Sequence, residues 1–195
     1  MKDGYIHMMR TTAFVIAALT FSGASAEPEG TLVDLASMST VGEAEWRFTD
    51  SVAEAGPDEK RTYLISRETY GDFKLYVEFW VGPETNSGVF VRCSNPVEVD
   101  PLNCFEINIR DEAPNQDYRT GSIVRVAKPT AHVDTVGRWN TAEIEMQGNS
   151  IVAVFNGVET ARLENDERAA EGHIALQFGG GELVRFRNLR IQVTD

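Results

Sequence analysis

Residues Trp139–Leu163 read WNTAEIEMQGNSIVAVFNGVETARL. Ala142, Ile144 and Met146 alternate with Thr141, Glu143 and Glu145, the period of a half-buried strand. Gly148-Asn149 and Asn156-Gly157 are two-residue turn signals, because Gly and Asn tolerate positive φ. The strands Trp139–Gln147, Ile151–Phe155 and Val158–Leu163 therefore form an antiparallel meander.

The same rhythm continues outward. Before the meander, Val41–Ser51 carries Trp46 and Phe48 in alternation, and Ala55–Lys60 is a turn. Further strands are expected at Thr62–Ser66, Phe73–Val81, Gly88–Cys93, Phe105–Arg110 and Ser122–Val126. Gly82-Pro83 stops one of them, and Ala127–Gly137 is a loop with Pro129, His132 and Asp134. After the meander come a polar stretch, Glu164–Glu171, with one helical turn, then strands at Ile174–Phe178 and Val184–Val193. No segment sustains a 3.6-residue apolar period. Short strands with regular turn signals predict an all-β, two-sheet antiparallel jelly-roll sandwich rather than βαβ units.

Residues 1–26 read as a secretory signal peptide. Arg10 supplies the positive charge, Ala13–Phe21 is an apolar run too short to span a bilayer, and Ala24-Ser25-Ala26 is a small-residue cleavage site. Residues 27–195 would then be a single jelly-roll domain, periplasmic or secreted. The chain carries a net charge of −12. So acidic a surface repels nucleic acid and anionic membranes. It suits a neutral or cationic ligand, or a metal ion held by carboxylates. Cys93 and Cys104 are the only cysteines. An exported chain with an even count favours a bridge between them, closing Ser94–Asn103, over two buried thiols.

Strand parity gives each strand an outward set. In Phe73–Trp80 (FKLYVEFW), Leu75, Val77 and Phe79 face inward and leave Tyr76, Glu78 and Trp80 outside. The same rule puts Phe90 and Arg92 outside, then Glu106, Asn108 and Arg110, then Gln177. Consecutive strands usually pair, which predicts that Glu78, Arg92 and Glu106 share one face. Aromatics beside carboxylates, amides and a guanidinium suit a sugar, whose C–H faces stack and whose hydroxyls need planar polar partners. A salt-bridged solvent face is the plainer alternative.

Several phrases are similar to one family. They are Tyr70–Phe79 (YGDFKLYVEF), Asn86–Arg92 (NSGVFVR), Phe105–Asp111 (FEINIRD) and Thr120–Ile123 (TGSI). Trp139-Asn140, Asn156-Gly157, Gly172–Gln177 (GHIALQ) and Val184–Ile191 (VRFRNLRI) follow in order. The chain resembles the 3-keto-disaccharide hydrolase domain family. The resemblance implies a concanavalin A-like lectin/glucanase fold with a saccharide on its concave sheet; the acidic charge and the short apolar run add the expectation of no nucleic acid and no membrane span. It implies cleavage of 3-keto-glycosides, in some members with a divalent metal such as manganese or calcium. A 3-keto group acidifies C2–H; a base removes that proton, the C1 glycosidic bond breaks by elimination, and water can then add.

By matched position, Glu78 and Glu106 would be the base or hold metal, and Arg92 would orient them or the keto oxygen. Tyr76, Trp80, Asn86, Asn108, Asp111, Thr120 and Gln177 would contact substrate. Glu106-x-Asn108-x-x-Asp111 also shares the spacing of the E-x-D-x-x-E strand of retaining jelly-roll glycosidases, with an amide in the middle place. The chain departs from the family after Gln177, where many members carry a histidine; His173 lies four residues before it. A non-catalytic carbohydrate-binding module and a structural or interaction domain are the alternatives.

Overall fold

The computed structural model describes residues 27–166, 168 and 170–194. The signal-peptide reading of residues 1–26 lies outside them. Among these described residues thirteen strands follow one another: β1 Thr31–Leu32, β2 Ser39–Gly42, β3 Trp46–Thr49, β4 Val52–Ala55, β5 Thr62–Ile65, β6 Phe73–Val81 and β7 Ser87–Cys93. The rest are β8 Phe105–Ile109, β9 Trp139–Gln147, β10 Ser150–Phe155, β11 Val158–Leu163, β12 His173–Phe178 and β13 Val184–Val193. The larger sheet has eight strands in the order β11-β10-β9-β6-β13-β4-β3, with β1 also on β13. The smaller has five, in the order β2-β5-β12-β7-β8. Every pair is antiparallel. The jelly-roll sandwich expected from the sequence is the fold.

The meander forms as its turns dictate. Gln147 pairs with Ser150 across Gly148-Asn149, and Phe155 pairs with Val158 across Asn156-Gly157. Asn156 and Gly157 both have positive φ, 51° and 79°, while at the other turn only Gly148 does, at 52°. The first is the type I′ pattern and the second the Gly-first II′ pattern, both matched to strand twist.

Alternation buries one side of each sheet. Phe73, Leu75, Val77, Phe79 and Val81 of β6 meet Val89, Val91, Ile107, Ile109, Ile174, Leu176 and Phe178 of the smaller sheet. Phe79 and Phe155 meet edge to face, centroids 5.8 Å apart. Truncating a ring buried this completely typically costs about 3–5 kcal/mol. A second apolar cluster lies on the outer face of the smaller sheet. There Tyr63, Ile65, Phe90 and Ala175 pack with Cys93, Val99 and Cys104. The Cys93–Cys104 disulfide is formed and closes the loop that carries Val99 over this face.

Three sequence expectations change. Val41–Ser51 is two strands, with β2 in the smaller sheet and β3 in the larger. Ser122–Val126 is a turn that hydrogen-bonds along the edge of β8, with Asn108 N donating to Ser122 O at 3.0 Å and Val124 N to Glu106 O at 2.9 Å. No helical turn forms among the described residues of 164–171. The consequential difference is that β6 and β7, consecutive in sequence, belong to different sheets. Gly82–Asn86 carries the chain from one layer to the other.

Candidate functional site

The outer faces of β6 and β7 point to opposite sides of the molecule, so Glu78 does not share a face with Arg92 and Glu106. Pairing of consecutive strands, the premise that joined them, fails between β6 and β7, as it does wherever the chain crosses between the layers.

On the larger sheet, Glu78 stands opposite Arg187 of β13 and Thr141 of β9. Arg187 Nε donates to Glu78 Oε2 at 2.7 Å, Asn188 Nδ2 to Oε1 at 3.0 Å, and the Tyr76 hydroxyl to Oε1 at 3.4 Å. Burial raises the Glu78 carboxyl, but the bonds from Asn188 and Arg187 outweigh it and hold the group below its ordinary value. The Arg185 guanidinium lies over Trp80 at 5.0 Å and that of Arg187 over Trp139 at 3.9 Å. Glu54 accepts from Arg185 at 2.6 Å and from Arg47 at 2.8 Å. This face is a lattice of cations, carboxylates and aromatics that satisfy one another. Tyr76 and Trp80, expected to contact substrate beside Glu106, belong to it.

Arg92 leaves its face as well. Two residues of β7, Val91 and Arg92, oppose one of β12 where the register slips, and Arg92 takes φ +50°. This bulge aims the side chain at the end of the sandwich. There Arg92 is 3% exposed. It donates to Gly71 O at 3.1 Å, to Gly148 O at 2.7 Å and to Asp72 Oδ1 at 2.9 Å. It clamps the start of β6 and the β9–β10 turn to β7, and neutralises Asp72 rather than either glutamate.

On the smaller sheet two cross-strand rows remain. Tyr63, Gln177, Gly88 and Asn108 form one, and Ile65, Ala175, Phe90 and Glu106 the other. The apolar members Ile65, Ala175 and Phe90 are at most 1% exposed, while Tyr63, Gln177, Asn108 and Glu106 keep 5–8%. The polar groups are thus the ones that reach solvent. Among the described residues nothing hydrogen-bonds the Glu106 carboxyl. Burial pushes it up to about 7, against the opposing charges of Arg61 and Arg125. Asn108 is held by its own neighbourhood: its Nδ2 donates to Tyr118 O and its Oδ1 accepts from Ile109 N.

The other matched residues build the frame. Asp111 is buried and accepts from Thr120 Oγ1 at 2.5 Å, Thr135 N at 2.6 Å and Thr135 Oγ1 at 2.9 Å. Asp111 and Thr120 therefore pin two loops instead of facing Glu106. Asn86 lies in the crossover, its backbone bonded to Gly179 and Gly180. His173 Nδ1 is 2.9 Å from Ser66 O at the end of β12, and His132 pairs with Asp134 in an exposed loop. Tyr63, Gly88, Arg61 and Arg125 join the face without having been expected there. Inward-facing Leu64 would have turned Tyr63 outward by parity, but only the sheet order puts it beside Gln177.

The metal expectation meets an unsuitable donor set. Among the described residues no three His, Cys, Asp or Glu side chains gather to share an ion. Glu106 offers a single carboxylate with two guanidinium charges nearby, which does not fit a divalent cation. Among the described residues, no helix is long and apolar enough to cross a membrane.

Comparison with known proteins follows the fold. A candidate glycosyl hydrolase from Parabacteroides distasonis is 26% identical, with a TM-score of 0.66 over 76% of this chain and 90% of its own. A second from the same organism is 16% identical, with a TM-score of 0.64 over 77% and 84%. The carbohydrate-binding module CBM66 from Bacillus subtilis shares the fold at 14% identity, with a TM-score of 0.62 over 80% and 97%. No curated protein matches the chain. Residues 28–192 match the 3-keto-α-glucoside-1,2-lyase-like domain, and the chain belongs to that family.

Proposed function

We propose that the outer face of the five-stranded sheet binds a saccharide and that Glu106 cleaves a 3-keto-α-glucoside there. One observation carries the reading: a carboxyl on the family's matched strand, largely buried, without an internal hydrogen-bond partner, and brought to about 7 by its surroundings. A general base works best when its pKa lies near the working pH. Family membership supplies the substrate class.

The chemistry uses one carboxylate as base. Ionised Glu106 takes the C2 proton, and the C–H electron pair moves to give an enolate on the C3 oxygen. Arg61 and Arg125 supply the positive charge that stabilises that oxygen. The enolate then collapses, a C1–C2 double bond forms, and the C1–O bond breaks. The departing oxygen takes a proton from solvent on the opposite face of the ring, and Glu106 releases the C2 proton to solvent afterwards. This is a lyase step; addition of water across the double bond would make the net reaction a hydrolysis. An exported protein fits this role, and the Cys93–Cys104 bridge suits an oxidising compartment.

A second reading is a non-catalytic carbohydrate-binding module. It is favoured by the single carboxylate on this face, since Glu78 lies on the other sheet and Asp111 is bound into the loops. One experiment separates the two. Incubated with 4-nitrophenyl 3-keto-α-D-glucoside, the wild-type protein should release nitrophenol and folded Glu106→Gln should not. Saccharide binding without release would establish the module. Release undiminished in Glu106→Gln would remove Glu106 from the chemistry.

A further inference from the structure

The inference rests on the reading of this face as the saccharide site, and adds a place and a hydrogen-bond pattern to it. Tyr63, Gln177 and Gly88 stand in one row across β5, β12 and β7. Gln177 Nε2 donates to Tyr63 Oη at 3.3 Å. In this orientation the phenol oxygen accepts from the nitrogen end of the amide. This leaves the phenol hydrogen free, since among the described residues Tyr63 donates to nothing. Gln177 Oε1 has no partner although its residue is only 5% exposed. Buried amide oxygens are nearly always satisfied, and an unpaired acceptor beside an open donor matches a ligand hydroxyl, which can supply both bonds.

Gly88 keeps a side chain away from the orphan oxygen. It lies within β7 and its φ is not positive, so the backbone does not require glycine there. A Cβ at this position would lie 3.6 Å from Gln177 Oε1, 3.5 Å from the Phe90 ring and 3.2 Å from Ile107 O. The orphan oxygen therefore lies against Gly88, where a side chain would meet it. Glu106 sits diagonally across β7–β8 from Gly88. Diagonal neighbours are about 7–8 Å apart, within the span of one pyranose ring and its hydroxyls.

The geometry points to a hydroxyl-reading subsite at Gly88. Gln177 Oε1 accepts from a sugar hydroxyl, Tyr63 O–H donates to that oxygen or its neighbour, and Tyr63 holds the amide with its oxygen toward the ligand. Gln177 is the contact and Tyr63 both contact and positioning residue. A site built to bond a hydroxyl strongly rejects the analogue that lacks it, because its own buried groups are then left unpaired.

The test is calorimetric titration with methyl 3-keto-α-D-glucoside and its monodeoxy analogues, using Glu106→Gln as a background that does not turn the sugar over. The background protein should prefer the parent sugar over one deoxy analogue by about tenfold or more. Adding Tyr63→Phe should abolish that preference while leaving affinity for the deoxy analogue unchanged, which a packing defect would not do. Adding Gly88→Ala should weaken every sugar that binds against Gly88; if that variant misfolds, Tyr63→Phe alone decides. Binding with no deoxy selectivity, or selectivity that survives Tyr63→Phe, overturns the subsite and leaves the saccharide reading standing. Binding of none of the sugars overturns both.

Discussion

Glu78 and Glu106 stand on the outer faces of different sheets, with the apolar core between them. A single ligand cannot touch both, so their substitutions should separate cleanly. Glu106→Gln should lower cleavage of the 3-keto-glucoside by about 10²–10⁴-fold, the usual worth of a positioned general base. Glu78→Gln should leave cleavage unchanged and cost about 1 kcal/mol of stability, since it weakens a half-exposed ion pair with Arg187. Steady-state rates and urea denaturation of both variants check this.

Glu106 should also make stability depend on pH. Its folded pKa of about 7 lies above the ordinary 4.5, so between those values the folded protein holds a proton that the unfolded chain has released. Stability conferred by that proton is fully present below pH 4.5, falls as pH rises to about 7, and is lost above. At about 1.4 kcal/mol per pH unit, the full span is on the order of 3 kcal/mol. The stability difference between Glu106→Gln and wild type should therefore grow in the variant's favour from pH 5 to pH 8. Subtracting the two cancels the opposite trend from Glu54, Glu78 and Asp166, whose carboxyls are lowered. Cleavage should rise over the same range, because the base works ionised. Thermal unfolding and pH–rate profiles measure the two trends.

Arg92→Met should destabilise the fold by about 3 kcal/mol or more, by stripping a buried clamp from Asp72 and two backbone carbonyls. Protein that remains folded should keep its affinity for the sugar. Denaturation curves and titration of the same sample test the pair of statements; lost affinity at full stability would return Arg92 to the site.

Reducing the Cys93–Cys104 bridge, or replacing both residues with serine, should cost about 2–3 kcal/mol, as expected for a loop of this length. It should also loosen Val99 over Phe90 and Tyr63. Denaturation with and without reductant gives the first quantity, and hydrogen exchange at Val99 the second.

The strands were legible because alternation and two-residue turns are local signals. Trp139–Leu163 folds as its turn residues specify, and β6 shows core on one side and polar groups on the other. Sheet membership was not legible. Which layer a strand joins depends on where the chain crosses, and Gly82-Pro83 reads the same whether β7 pairs with β6 or leaves it. That ambiguity placed Glu78 with Glu106. Arg92 was misplaced for a second reason: a bulge shifts parity by one residue, and no residue type marks it. Glu106, Asn108 and Gln177 do share a face, because their strands lie in the smaller sheet and β7 joins them. Tyr63 was not placed beside them because β5 lies far from β12 in sequence, although the two pair along their length.

The most direct measurement is an NMR titration of ¹⁵N-labelled Glu106→Gln protein with methyl 3-keto-α-D-glucoside. Shift changes should centre on Tyr63, Gly88, residue 106, Asn108 and Gln177, with Tyr76, Glu78, Trp80 and Trp139 unmoved. Changes centred on that second group, with the five-stranded sheet silent, would contradict the account.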